Sequence, residues 1–140
     1  ACEYGIRASI FIAEQSLLDR KVSLKDVAEA IESPSAYTSK ILQRLSKSNI
    51  INSDKGPTGG FSMDKSELEK VKLSSIVYAI DGDTVYNGWG LGLKQCNADN
   101  PCPVHVQFKV IRDELKKMLE TTTVKTLAMD FEKGLTFLKR

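Results

Sequence analysis

Histidine occurs once in these 140 residues, and no apolar run approaches the ~18–20 residues of a membrane-spanning helix. A single histidine, with no Ser/His/Asp set and no Gly-rich phosphate loop, gives no reason to expect an enzyme. The opening Ala1-Cys2-Glu3-Tyr4 has neither the basic stretch nor the apolar stretch of a secretory signal, so none is expected there. A start without Met leaves room for residues before Ala1. Cysteine is scarce and odd in number, at three, which suits a disulfide-stapled secreted scaffold poorly. A reducing cytoplasm is the expected setting, where clustered cysteines more often bind metal or work in redox chemistry. Internal repeats and low-complexity segments are absent.

What is present is ordinary in bulk and uneven in placement. Hydrophobic content of 41% and charged content of 27% suit a soluble globular chain, so composition alone selects no function. The length supports one compact domain, or a small domain with an oligomerisation arm. Net charge is +2, but residues 33–62 carry Lys40, Arg44, Lys47 and Lys55 against Asp54 alone. A local basic patch is the electrostatic footprint of a nucleic-acid reader, although a solvated helix face has the same charges.

Ile6, Ile10, Ala13 and Leu17 recur at helical spacing and predict a first helix over residues 4–18. Ser23-Leu24-Lys25-Asp26 has capping-box form, with Asp in place of Glu, and Leu24, Val27, Ala28 and Ile31 outline a short second helix. Ser33-Pro34 predicts a restart, Ser as N-cap and Pro as first helical residue. The third helix then runs to about Lys47, with Tyr37, Ile41, Leu42 and Leu45 facing inward. Ile50-Ile51-Asn52-Ser53 and Gly60-Phe61-Ser62-Met63 are strand candidates around a turn-rich tip over residues 54–59. Short helices follow near residues 66–70 and 73–80, the latter stopped by Asp81-Gly82. Residues 85–103 read as irregular. The longest helix is expected over residues 104–122, where Val104, Phe108, Ile111, Leu115 and Met118 form a heptad-like seam for a partner helix or for the chain's own core. Val124, Leu127, Ala128 and Phe131 outline one further helix.

Two short helices, a tight turn and a hairpin with a Gly/Pro tip make a winged helix-turn-helix. The second helix of the pair can enter the major groove with its N-terminal residues at the base edges. Ser35, Ala36, Thr38, Ser39 and Lys40 occupy that end, small or hydroxylated enough for close approach, and a helix N-terminus favours phosphate. Gln43 and Arg44 lie one turn on, Arg44 as a phosphate clamp, because most contacts go to the backbone. At the hairpin tip, Lys55 is placed to enter the minor groove, with Thr58 beside it.

Cys96-Asn97-Ala98-Asp99-Asn100-Pro101-Cys102-Pro103-Val104-His105 gathers two of the three cysteines and the only histidine. Thiolates and imidazole are the ligands that soft or borderline metals and iron–sulfur clusters prefer. His105 counts as a candidate ligand, although a lone helical histidine is usually structural. Cys2 reads as a stray thiol and Trp89 as a packing residue. The fold class is mostly α. Residues 1–82 are expected to form the winged helix-turn-helix domain, 83–103 a sensory loop, and 104–140 a dimerisation helix with a C-terminal helix.

These residues resemble the Rrf2 family of bacterial transcription regulators. Glu3-Tyr4-Gly5-Ile6-Arg7-Ala8 is similar to its opening helix, and Tyr37 with Ile41-Leu42-Gln43-Arg44-Leu45 to its recognition helix. Lys55-Gly56-Pro57-Thr58-Gly59-Gly60-Phe61 is similar to its wing. Cys96, Cys102 and His105 with Ile111-Arg112-Asp113-Glu114-Leu115 are similar to its sensory loop and dimerisation helix. The resemblance implies a homodimer on a palindromic operator in double-stranded DNA, with the long helices crossed at the dimer interface; repression is the expected action. It also implies an iron–sulfur cluster held by three cysteines and a fourth group, His or an acidic residue of the partner's first helix. This chain departs from that pattern: the first cysteine would fall near Trp89 or Gly90, neither of which ligates. Glu3 stands at the acidic position.

Three readings of the segment stay open. Cys96 and Cys102, with Glu3 and with or without another group from a second subunit, hold a [2Fe–2S] cluster; or the two thiols form a reversible disulfide; or the segment is a relic, and the domain senses nothing or binds a protein or a small molecule. A small electron-transfer protein would use the same thiols but has no need of a winged helix-turn-helix. A module that kept the fold and lost DNA binding is the remaining alternative.

Overall fold

The computed structural model describes residues 2–82 and 105–132. The described elements are α1 (Cys2–Leu17), α2 (Leu24–Ala30), α3 (Ser35–Lys47), β1 (Asn52–Asp54), β2 (Gly60–Ser62), a 3-10 turn (Lys65–Glu67), α4 (Leu73–Asp81), α5 (His105–Thr121) and α6 (Val124–Glu132). The mostly helical architecture with one antiparallel hairpin is the winged helix expected from the sequence.

The first three helices stop in the same way. Asp19, Glu32 and Asn49 have φ of 59°, 53° and 60°, a left-handed conformation that side chains other than glycine adopt only occasionally. Each sits between paired backbone bonds that close the last turn. Asp19 N–H donates to Ser16 O and Arg20 N–H to Gln15 O; Glu32 donates to Glu29 O and Ser33 to Ala28 O; Asn49 donates to Ser46 O and Ile50 to Leu45 O. This Schellman arrangement satisfies carbonyls that a helix end leaves open. At the other end of α2, the Ser23 capping box forms as expected, with Ser23 Oγ accepting from Asp26 N–H and the Asp26 carboxylate accepting from Ser23 N–H.

The restart of α3 differs by one position from the expected Ser33-Pro34 start. Pro34 is the N-cap and Ser35 the first helical residue. Ser33 is held by the closure of α2 and so cannot cap α3; its Oγ is buried and without a hydrogen-bond partner among the described residues. The strands are shorter than expected, because Ile50, Ile51 and Met63 leave the ladder to enter the core.

Ala8, Ile12, Val27, Ile31, Ile41, Leu42, Leu45, Leu68 and Ile76 form one core with Leu119, Val124 and Ala128. The chain therefore returns: α6 packs along α1, and Thr123 bridges to Lys72 as the segment before α4 pairs with the start of α6. Burying that shared apolar surface ties the C-terminal helix to the helix-turn-helix. Tyr37 is 36% exposed, contrary to its expected inward place, and Thr38 is fully buried in its stead.

Candidate nucleic-acid interface and thiol segment

α3 offers a polar, cationic face. Ser35, Ala36, Lys40 and Gln43 are exposed and Ser39 is half-buried. Pro34 accepts the first intrahelical bond from Thr38 N–H, so the N–H groups of the first turn remain open to an anion. Gln43 Nε2 lies 3.5 Å from Ser39 Oγ, its helical neighbour four residues back. Lys40 has no ion-pair partner among the described residues.

Two expected contact residues are placed otherwise. Thr38 turns its hydroxyl into the core and donates to Pro34 O at 2.9 Å, so its side chain is not on the polar face. The helix phase decides this: Thr38 shares a face with Ile41, Leu42 and Leu45. Arg44 extends to α4, where Nη1 donates to Ile80 O at 2.9 Å. That bond uses one guanidinium N–H, and the side chain stays exposed with its other donors open.

The wing pairs Asn52 with Ser62, Ser53 with Phe61 and Asp54 with Gly60. Gly59 N–H donates to Gly56 O across the tip. A Cβ on Gly59 would lie 2.2 Å from Asp54 O, so only glycine fits. Gly56, at φ 102°, uses glycine's freedom as well. Lys21 pairs with Asp54 at 2.8 Å, and Val22 bridges Phe61, which together anchor the wing to the α1–α2 connection. Lys55 and Thr58 stand exposed at the tip, and Asp54, the one acid of the basic stretch, is already paired.

An aromatic and ionic cluster seats α1 against the helix-turn-helix. Arg7 Nη2 donates to Ile31 O at 2.7 Å, closing the end of α2. Its guanidinium lies 5.3 Å from the Tyr4 ring centre, and Tyr4 meets Tyr37 edge to face at 5.4 Å. Glu3 is exposed and lies 3.8 Å from Arg7. Sequence periodicity missed this cluster; the Tyr4/Tyr37 pair was its only signal.

Cys96 and Cys102 lie outside the described residues, as does the side chain of His105, the first residue of α5. Among the described residues no group of three or more His, Cys, Asp or Glu is placed to hold a metal. Cys2 is more than a stray thiol. Burial, then a hydrogen bond to the Asp81 carboxylate, pushes it up from 9.0 to about 12. It stays protonated and is a poor nucleophile at neutral pH. On α5, Val106, Val110, Ile111 and Met118 are 72%, 59%, 54% and 49% exposed, an apolar surface without cover from the chain's own described residues.

The model of the Rrf2 family, described as an iron-dependent transcriptional regulator, matches residues 1–130. A putative HTH-type transcriptional regulator of Aquifex aeolicus (strain VF5) is 32% identical over 119 residues, 84% of this chain and 82% of that protein. The HTH-type transcriptional regulator IscR of Photorhabdus laumondii is 24% identical, over 92% of this chain and 77% of its own. Among solved structures, the B. subtilis global cysteine regulator CymR aligns with a TM-score of 0.71 at 22% identity, covering 91% of this chain and 92% of that one. The T. potens IscR aligns with a TM-score of 0.72 at 20% identity, covering 96% and 88%.

Proposed function

The chain belongs to the Rrf2 family of transcriptional regulators, and from that membership we propose a homodimeric, cytoplasmic repressor whose affinity for a palindromic operator follows the state of the Cys96/Cys102 segment. It is a DNA-binding regulator rather than an enzyme, as its relatives are. The observation that carries the finer reading is the joint exposure of two surfaces. One is the cationic, small-residue face of α3 with Lys55 and Thr58 on the wing. The other is the apolar surface of α5. A second copy covering α5 would place two α3 helices on one duplex. Half-sites ~34 Å apart make binding sensitive to small changes in helix spacing.

For the signal, Cys96 and Cys102 with Glu3 of the second copy, and His105 as a further ligand, would hold a [2Fe–2S] cluster. The donor set fits in kind, because Glu3 is exposed at the first turn of α1. Such a group supplies a reversible one-electron change. Within the chain, Glu3 is the anion beside Arg7, and Arg7 ends α2 at Ile31 O. A ligand that engages Glu3 therefore acts next to the contact that holds the helix-turn-helix.

The test joins operator binding to an anaerobic absorption spectrum with iron and sulfide analysis, on wild type and Cys102→Ala. Expected is a coloured, iron-containing wild type that binds a promoter fragment differently from the colourless variant. An iron-free wild type removes the cluster and leaves either a Cys96–Cys102 disulfide, which a mass shift on reduction would reveal, or a relic segment, which would show no such shift. Failure to bind any promoter fragment in every redox state overturns the regulator itself.

A further inference from the structure

The last turn of α4 is a meeting point. Gly5 of α1 packs so close to it that a Cβ there would meet Ile80 Cγ1 at 2.8 Å. The Cys2 thiol hydrogen-bonds to Asp81. Arg44 of α3 donates to Ile80 O. Gly82 ends the helix with φ 65° and donates to Tyr78 O. Ile80 O is one of the carbonyls that a helix C-terminus leaves without an internal partner, and a cation is favoured at that end of the helix dipole.

We propose that Arg44 is a positioning residue that fixes recognition helix α3 to the C-terminal turn of α4, so that the end of α4 sets the pose of α3. The proposal rests on the DNA-reading assignment above. The geometry supports it in two ways. Arg44 stands in the last turn of α3, away from the N-terminal residues that face a duplex. Its partner is a backbone carbonyl, so it reports the position of the α4 backbone whatever side chain Ile80 carries. A displacement of α4's end moves the guanidinium, and the guanidinium moves α3.

A phosphate clamp and a positioning residue respond differently to salt, because only a group that neutralises a phosphate contributes to the salt slope. Lys40→Met should lower the slope of operator affinity against salt by about 1. Arg44→Met should weaken binding about tenfold (about 1.4 kcal/mol) at every salt concentration with the slope unchanged. It should also speed amide exchange at residues 78–82 in the DNA-free protein. Gly82→Ala, strained at its positive φ, frays the same turn without removing a charge and should give the same pattern. A slope lowered by about 1 in Arg44→Met, with exchange as in wild type, would make Arg44 a clamp and overturn the proposal. So would Gly82→Ala with wild-type affinity. If wild type bound no operator fragment, the regulator reading would fall, and the exchange comparison would still decide whether Arg44 holds the end of α4.

Discussion

Tyr37 of the recognition helix meets Tyr4 of the first helix edge to face, 5.4 Å between ring centres and 83° between planes. The contact joins α3 to the helix turn that carries Glu3. Edge-to-face pairs contribute about 0.5–1.5 kcal/mol beyond the area they bury. Tyr37→Ala should lower unfolding free energy by about 1 kcal/mol in urea titration and weaken operator binding. Tyr37→Phe keeps the ring and should stay within about 0.5 kcal/mol of wild type.

Thr38 is expected to matter for stability and not for DNA contact. Thr38→Val keeps its shape, removes the donor to Pro34 O and should cost about 1 kcal/mol in stability. Operator affinity of the folded protein should stay as in wild type. A loss of affinity without a stability change would place the hydroxyl at the duplex instead.

Gly59→Ala should disable the wing while sparing the core. The added Cβ would collide with Asp54 O at 2.2 Å, and overpacking of that kind costs about 1–3 kcal/mol locally. Operator affinity should fall while the helical circular dichroism signal stays as in wild type. Gly56→Ala meets nothing within 4 Å and bears only the cost of its φ, about 1–2 kcal/mol.

Cys2 should react slowly with iodoacetamide at neutral pH, because its thiol is raised to about 12. Asp81→Asn removes the carboxylate and should speed the reaction. Burial, the larger cause, remains, so the rate should stay below that of a free thiol. The folded state favours the protonated thiol. Its contribution to stability is therefore complete below pH 9.0, the unfolded value, and is lost as pH rises toward about 12. Mass spectrometry of the alkylated peptide reads the first effect and alkaline unfolding curves the second.

Ile111→Glu with Met118→Glu should yield a folded monomer with weakened operator binding. Both side chains are about half exposed in the single chain, so the fold does not depend on them. Sedimentation velocity reads the oligomeric state; a dimer that survives both charges would move the interface off this surface.

The sequence alone determined the order of helices, the Ser23 capping box, the end of α3 at Lys47, the hairpin and the stop at Gly82. These features depend on apolar periodicity, side chains that bond their own backbone and glycines at special φ, all encoded within a few residues. Tertiary structure decided the rest. Thr38 and Tyr37 exchanged their expected places because packing set the phase of α3, burying Thr38 with Ile41, Leu42 and Leu45 and leaving Tyr37 to meet Tyr4. Arg44 looks like any cation of a DNA-reading helix until α4 brings Ile80 O beside it. Cys2 looks stray until the fold half-buries it and Asp81, far along the chain, supplies a hydrogen bond. Packing between distant segments chooses the partner of a long or polar side chain, and no local pattern carries that choice.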